Sequence, residues 1–228
     1  MVWFQRFLEN MALLMSHSPD DRAIVYIVDD DEALRRGLDR LFRSVSLETR
    51  SYGTAREFID AQRPDLPGCI VLDVRLPGIN GLEFQAQLGE LGINLPVVLI
   101  TGHGDIPMTV RAMKAGAVDF LPKPFRDQDM LDAVSTAINR DRSRRAAEDL
   151  AAGLKGRFAT LSTREREVMM LATSGRMNKQ IAGDLGLSEV TVKIHRGAAM
   201  RKMGARTLAD LVRMADALNL ALEHDANT

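Results

Sequence analysis

The chain has few of the features that mark secreted, membrane-bound or fibrous proteins. Among 228 residues there is one cysteine, Cys69, so no intramolecular disulfide can form and a reducing cytoplasm suits it. Within Cys69-Ile70-Val71-Leu72 it reads as a small buried hydrophobe rather than a reactive thiol. No apolar run approaches the roughly 20 residues that span a bilayer, so no membrane partner is expected. Internal repeats and low-complexity tracts are also absent. Residues 1–19 lack a signal peptide's basic start, unbroken apolar stretch and small-residue cleavage site. Their Trp3, Phe4, Phe7, Leu8, Met11, Leu14 and Met15 fall at helical spacing. That suits a docked or dimerising helix; a disordered extension, or a true start at Met11 or Met15, is the plainer reading.

Net charge is nearly absent, at −1, but it is unevenly spread. From Asp20 to Arg140 there are 14 Lys/Arg against 19 Asp/Glu, a balance of −5. From Arg157 to Arg206 there are 10 against 4, a balance of +6. Only the C-terminal half is therefore suited to a polyanion. At 46% hydrophobic and 27% charged residues, the composition is that of a core-forming protein, and the length accommodates two domains.

From Ile24 onward, short apolar runs alternate with amphipathic stretches. Ile24–Val28 reads as a buried strand, and Leu34, Leu38, Leu41, Phe42 and Val45 mark a helix. A polar strand at Leu47–Tyr52 precedes a helix from Thr54 to about Arg63. Cys69–Leu72, Val97–Ile100 and Val118–Leu121 are further strands. A Pro77-Gly78 loop leads to a helix near Gly81, and others run from Pro107 to Ala115 and from near Asp127. Five strand–helix pairs in about 120 residues predict a doubly wound parallel sheet of flavodoxin-like order, because a (βα)₈ barrel needs about twice the length. From Asn139 to Gly156 the chain is Arg- and Ala-rich without proline, which predicts a helical connector; its Arg140, Arg142, Arg144 and Arg145 suit a solvated face or DNA. Beyond Leu161 everything reads as helix: Ser162 or Thr163 as a cap, Asn178–Leu185 ended by Gly186, a basic helix capped by Ser188, and a last one capped by Thr207. Two short helices around a Gly turn are the helix-turn-helix pattern. The expected domains are an extension (1–21), an α/β domain (22–138), a helical linker (139–157) and an all-α four-helix domain (158–222).

Ligands of parallel sheets bind at the carboxyl ends of the strands. Those ends carry Asp29 and Asp30, Asp73, Thr101 and Lys123. Carboxylates held together repel unless a cation sits among them, and hard oxygen ligands with open positions suit Mg²⁺. A carboxylate can be the nucleophile of phosphoryl transfer, with cations and hydroxyls neutralising the equatorial oxygens. Taken singly, Asp29-Asp30-Asp31 would read as a helix cap and Lys123 as a solvated charge; their convergence favours a site.

The segments Ile27-Val28-Asp29-Asp30-Asp31, Leu72-Asp73-Val74-Arg75-Leu76-Pro77-Gly78, Ile100-Thr101-Gly102-His103-Gly104 and Lys114 to Pro124 resemble response-regulator receiver domains. Leu161 to Val168, Asn178-Lys179-Gln180-Ile181-Ala182 and Ser188 to Arg196 resemble the LuxR-type helix-turn-helix. Together, over residues 22–218, they resemble the FixJ branch of the NarL/FixJ group of bacterial two-component regulators. That resemblance implies Asp73 as phosphoacceptor from a sensor histidine kinase. It implies Mg²⁺ on Asp30, Asp73 and the Arg75 carbonyl, with Asp29 acting mainly through water. Thr101 and Phe120 would be switch residues, and the Lys123-Pro124 bond would be cis. It also implies a homodimer on phosphorylation, promoter DNA and RNA polymerase as partners, and activation of transcription. Leu76 stands where the family more often has methionine.

Lys193, His195, Arg196, Arg201 and Lys202 share one helix with a single acid, Glu189. The candidate DNA contacts are Lys179, Thr191, Lys193, Ile194, His195, Arg196, Arg201 and Lys202. Lys193, Ile194 and Arg196 are assigned to bases or groove, and Lys179, Arg201 and Lys202 to phosphates. Val190, Val192, Ile194, Met200 and Met203 are expected to pack the small core or turn to the groove wall. Gly197 occupies a groove-facing position where some relatives carry a basic side chain. Two other functions compete. A phosphatase of the haloacid dehalogenase type needs an aspartate two residues after its nucleophile, where Asp73 is followed by Arg75. A helix-turn-helix that binds protein would not need five basic residues on one helix. The expectation is therefore a non-enzyme.

Overall fold

The computed structural model describes residues 22–102 and 106–218; the N-terminal Trp3–Met15 pattern and the His103-Gly104-Asp105 run lie outside them. The chain divides into two compact units between Arg145 and Ala146.

The first unit is built on a parallel sheet. Its strands are β1 (Ile24–Val28), β2 (Glu48–Tyr52), β3 (Gly68–Asp73), β6 (Val97–Thr101) and β7 (Asp119–Pro122), in the order β2-β1-β3-β6-β7. Every pairing is parallel. Without the two-residue strands β4 (Arg75–Leu76) and β5 (Ile79–Asn80), this is the flavodoxin-like order. The central strands β1, β3 and β6 are buried throughout because both faces of the sheet are covered. Ile24, Tyr26, Val28, Ile70, Leu72 and Leu99 pack one way, with Phe58, Phe84 and Ala112. Val25, Ile27, Cys69, Val71, Val98 and Ile100 pack the other, with Leu38, Phe42, Met130 and Val134. The helices supplying these side chains are α1 (Glu32–Ser44), α2 (Ala55–Asp60), α3 (Gly81–Gln87), α4 (Ile106–Lys114) and the start of α5 (Asp127–Ala159). Cys69 is fully buried, and burial pushes its thiol pKa up, as its apolar run implied.

The expected Pro77-Gly78 loop is present as the turn of a small antiparallel hairpin, β4 (Arg75–Leu76) with β5 (Ile79–Asn80), where Gly78 has φ +84°. Helix α2 stops at Asp60 rather than near Arg63; Ala61 is extended, and the Arg63 guanidinium donates to the Phe58 carbonyl at 2.6 Å.

Helix α5 has 33 residues, roughly 50 Å at 1.5 Å per residue, so the proline-free connector is one helix. Arg144 and Arg145 are not a solvated basic face. Both bind the fully buried Asp141, at 2.6 and 2.8 Å, and Arg145 also pairs with Asp65. Asp141 further accepts the Gly68 N–H at 3.1 Å, tying this part of α5 to the start of β3.

The second unit holds α6 (Thr163–Thr173), α7 (Asn178–Leu185), α8 (Glu189–Met203) and α9 (Leu208–Ala217). Ser162 and Glu165 form a reciprocal cap on α6. Gly186, at φ +64°, makes the left-handed turn between α7 and α8, and Ser188 caps α8. Val168, Leu171, Ile181 and Val192 form one part of the core; Leu154, Met169, Ala199, Met203 and Leu211 form another.

Candidate functional site

The strand ends assemble the acidic pocket. Asp29 and Asp30 follow β1, and Asp73 ends β3. Thr101 ends β6, and Lys123 follows β7, where its N–H donates to the Thr101 carbonyl at 2.7 Å. The Lys123 Nζ lies 2.7 Å from Oδ2 of Asp29 and 2.7 Å from Oδ2 of Asp73. Asp29, Asp30 and Asp73 each offer an oxygen within 4.8 Å of the others. Asp29 and Asp73 are buried, while Asp30 is exposed. The Lys123-Pro124 bond is cis.

The aspartate triplet divides its labour. Asp31 caps α1, accepting from the N–H groups of Ala33 and Leu34 at 2.8 and 3.2 Å, so the plain helix-cap reading holds for that residue. Asp29 and Asp30 go to the pocket instead. Burial raises the Asp29 pKa despite its bonds to Lys123 and the Asp31 N–H, and the Asp73 charge adds to the rise. Burial alone would lower Lys123, but its bonds to Asp29 and Asp73 outweigh this and its pKa rises. Three carboxylates against one ammonium leave an excess of about two negative charges in a half-buried place, an arrangement suited to a divalent cation.

The Arg75 N–H donates to Asp73 Oδ1 at 3.1 Å, while its side chain is exposed on β4. Thr101 is fully buried. Phe120 pairs with Leu99 in register and lies buried in the cluster with Ala112 and Ala117. Sequence reasoning missed one positioning residue. A Cβ on Gly81 would stand 2.2 Å from the Asp73 carbonyl oxygen and 2.8 Å from the Val74 Cα. Only glycine lets α3 begin this close beneath the pocket, its N–H donating to the Val74 carbonyl at 2.8 Å.

The DNA-contact candidates do not share one environment. Lys179, Lys193, Ile194 and Arg201 are exposed, with His195 and Arg196 half-buried. The Arg196 guanidinium donates to the Asn178 side chain at 2.9 Å, joining α8 to α7. The Thr191 hydroxyl lies 2.8 Å from that of Ser188, within the cap. Lys202 donates to Glu165 at 2.6 Å and to the Thr160 carbonyl at 3.2 Å, which ties it to the fold. Of the apolar residues expected in the core or at the groove wall, Val192 and Met203 are core and Met200 is partly buried. Val190 and Ile194 are exposed; they pack no core.

No helix of the described residues is long and apolar enough to cross a membrane. Comparison with known proteins accounts for both units. The model of the response regulator receiver domain matches residues 25–135, and that of the luxR family of bacterial regulatory proteins matches residues 159–215. The chain is 57% identical over 207 residues to Nodulation protein W of Bradyrhizobium diazoefficiens, covering 91% of each. It is 44% identical over 202 residues to the transcriptional regulatory protein FixJ of Azorhizobium caulinodans, covering 89% of this chain and 96% of that one. Among solved structures, response regulator StyR superposes with a TM-score of 0.76 at 47% identity, over 86% of this chain and 98% of that one. A strand-end acidic pocket followed by a basic helix-turn-helix agrees with these matches, and the chain belongs to the two-component response regulators that join a receiver domain to a LuxR-type DNA-binding domain, transcription regulators rather than enzymes.

Proposed function

We propose that Asp73 is the phosphoacceptor of this regulator, that a sensor histidine kinase is its donor, and that phosphorylation drives dimerisation and promoter binding. The observation that carries the reading is the Lys123 ammonium bridging Asp29 and Asp73 at 2.7 Å each. An Asp73 carboxylate oxygen attacks the donor phosphorus in line as the bond to the leaving histidine nitrogen breaks. Lys123 then pairs with a phosphoryl oxygen, and the Thr101 hydroxyl turns toward another. Asp29, Asp30, Asp73 and the Arg75 carbonyl are the residues that would hold Mg²⁺, which when bound neutralises charge on the phosphoryl oxygens. Phe120 repacks behind Thr101 and so alters the face made by α4 and β7. That face carries an exposed apolar stripe, Ile106, Val110 and Met113, suited to pairing receivers.

Pairing presents two recognition helices to two half-sites, which a single small module needs for useful specificity. Lys193, Ile194 and Arg201 lie outward on α8, with Lys179 exposed on α7 and His195 flanking them. We assign these to promoter DNA, and Arg196, Thr191 and Lys202 mainly to holding the helix. The domains follow as extension 1–21, receiver 22–138, linker 139–157 and DNA-binding domain 158–222, acting in the cytoplasm on RNA polymerase as an activator. Intact mass after incubation with Mg²⁺ and a small-molecule phosphodonor tests the switch. One phosphoryl group is expected on wild type and none on Asp73→Asn; an equal adduct on both would remove Asp73 from the role.

A further inference from the structure

We infer that Arg35 is a positioning residue of the cation site, aiming Asp30 through the peptide that joins it to Asp29. This role rests on the Mg²⁺ reading proposed above and adds a residue outside the ligand set.

The three carboxylates of the pocket are not held alike. Asp29 accepts from the Lys123 ammonium at 2.7 Å and from the Asp31 N–H at 2.8 Å. Asp73 accepts from Lys123 at 2.7 Å and from the Arg75 N–H at 3.1 Å. Asp30 is exposed, and among the described residues no hydrogen bond or ion pair holds its carboxylate. Its aim follows from the backbone that carries it.

That backbone leaves β1 where the sheet stops supplying partners. The Asp29 N–H still donates to the carbonyl of Tyr52, the last residue of β2, at 3.2 Å. Beyond it the Gly53 N–H turns to the Glu57 carboxylate at 2.8 Å. Among the described residues no backbone N–H donates to the Asp29 carbonyl. Asp29 is fully buried, and a buried carbonyl needs a donor. Arg35 supplies it, its guanidinium donating to that oxygen at 2.5 Å.

The Asp29 carbonyl and the Asp30 N–H lie in one rigid peptide plane. Fixing the carbonyl therefore fixes the direction in which Asp30 leaves the sheet. Arg35 is itself fixed, because it stands in the first turn of α1, where its N–H donates to the Asp31 carbonyl at 3.0 Å. Positioning and charge predict opposite signs. Removing a cation from beside an acidic site would by attraction alone tighten Mg²⁺ binding. Removing the partner that aims a ligand weakens it, by roughly 10–100-fold in metal affinity.

The test unfolds the full-length chain thermally at constant ionic strength over a series of Mg²⁺ concentrations, without phosphodonor. The rise of the receiver Tm with Mg²⁺ yields a Kd for the folded site. Arg35→Met is expected to raise that Kd roughly tenfold. Arg35→Lys, which keeps one donor, should fall between Arg35→Met and wild type. With a small-molecule phosphodonor, the slowing of phosphoryl uptake in Arg35→Met should shrink as Mg²⁺ is raised. A lower Tm at every Mg²⁺ concentration with an unchanged Kd would overturn the inference and leave Arg35 a structural residue. A tighter Kd would overturn it in favour of a simple counter-charge. No Mg²⁺-dependent rise in wild type would instead sink the cation site itself, and the role of Arg35 with it.

Discussion

The acidic pocket and the recognition helix solve opposite problems with the same kinds of side chain. In the pocket, charges from three distant strand ends are buried and bound to each other: Lys123 holds Asp29 and Asp73 together. On α8, the side chains of one continuous segment face outward, and the charges that are tied down, Arg196 and Lys202, are tied to the fold. A buried cluster joined through one ammonium is costly to break there, because removing Lys123 strands both carboxylates it holds. An exposed stripe loses function in increments. The pocket should therefore respond to mutation steeply and the helix gradually.

The largest effect is expected at Lys123. Lys123→Ala strands two buried carboxylates, and urea denaturation without divalent cation should show the receiver unit losing about 3 kcal/mol. Added Mg²⁺ should restore part of it, while phosphoryl uptake measured by intact mass should collapse. Stability unchanged within error would mean that the carboxylates do not depend on this ammonium, and the pocket would be no steeper than the helix. Gly81→Ala comes next. Its Cβ would overlap the Asp73 carbonyl, and relieving that overlap means moving Asp73 or α3, a strain of about 2 kcal/mol. Slower phosphorylation with an otherwise folded receiver is the expected result; wild-type rates would show that Asp73 tolerates the shift.

These two residues also mark what a sequence reader can and cannot find. Lys123 was legible because strand ends in a parallel sheet converge, so chemistry separated by 50 residues between Asp73 and Lys123 could be joined on paper. The strands themselves stood out as unbroken apolar runs, and the long helix as a stretch without a breaker. Gly81 was not legible, since its role depends on the backbone at 73–74 folding back beneath it. The β4–β5 hairpin escaped notice because two-residue strands carry no period. Arg144 and Arg145 read as a solvated basic run although Asp141 stands three and four residues before them, at helix-pairing spacing; what no pattern shows is that Asp141 is buried and that Asp65, 80 residues before Arg145, joins the group. On α8 the apolar residues were recognised but not their phase. Val190 and Val192 are equally hydrophobic, and only the packing against α6 and α7 decides which is core.

Smaller effects are expected in the DNA-binding unit. Glu165 accepts from the Ser162 N–H and from Lys202, and these bonds hold its pKa below the ordinary carboxylate value. A carboxylate with a lowered folded pKa stabilises fully above its unfolded pKa, near 4.3, and loses that contribution as pH falls through the folded value. Hydrogen exchange of α6 should accordingly speed up as pH drops below about 4.3 after correction for intrinsic rates, and Glu165→Gln should flatten that dependence. Ser162→Ala removes the other half of the cap and should cost about 1 kcal/mol at neutral pH. A flat profile in wild type would mean that Lys202 is not held to the fold and is free for phosphate.

The smallest change tests the outward face itself. Glycine inside an exposed helix is destabilising by roughly 0.5–1 kcal/mol relative to alanine, and the Cβ of Gly197→Ala would find open space beside the Arg201 side chain. Stability of the DNA-binding unit should therefore rise by about that amount in thermal or denaturant unfolding, with no gain in DNA affinity. In the pocket, by contrast, the same Gly→Ala change at Gly81 should lower stability and function together. The opposite signs at two helical glycines would show that one site is limited by how tightly it is packed and the other by how closely it can be approached. Should Gly197→Ala destabilise instead, the outer face of α8 would not be open, and the division between a packed pocket and an exposed reading surface would fail at its simplest point.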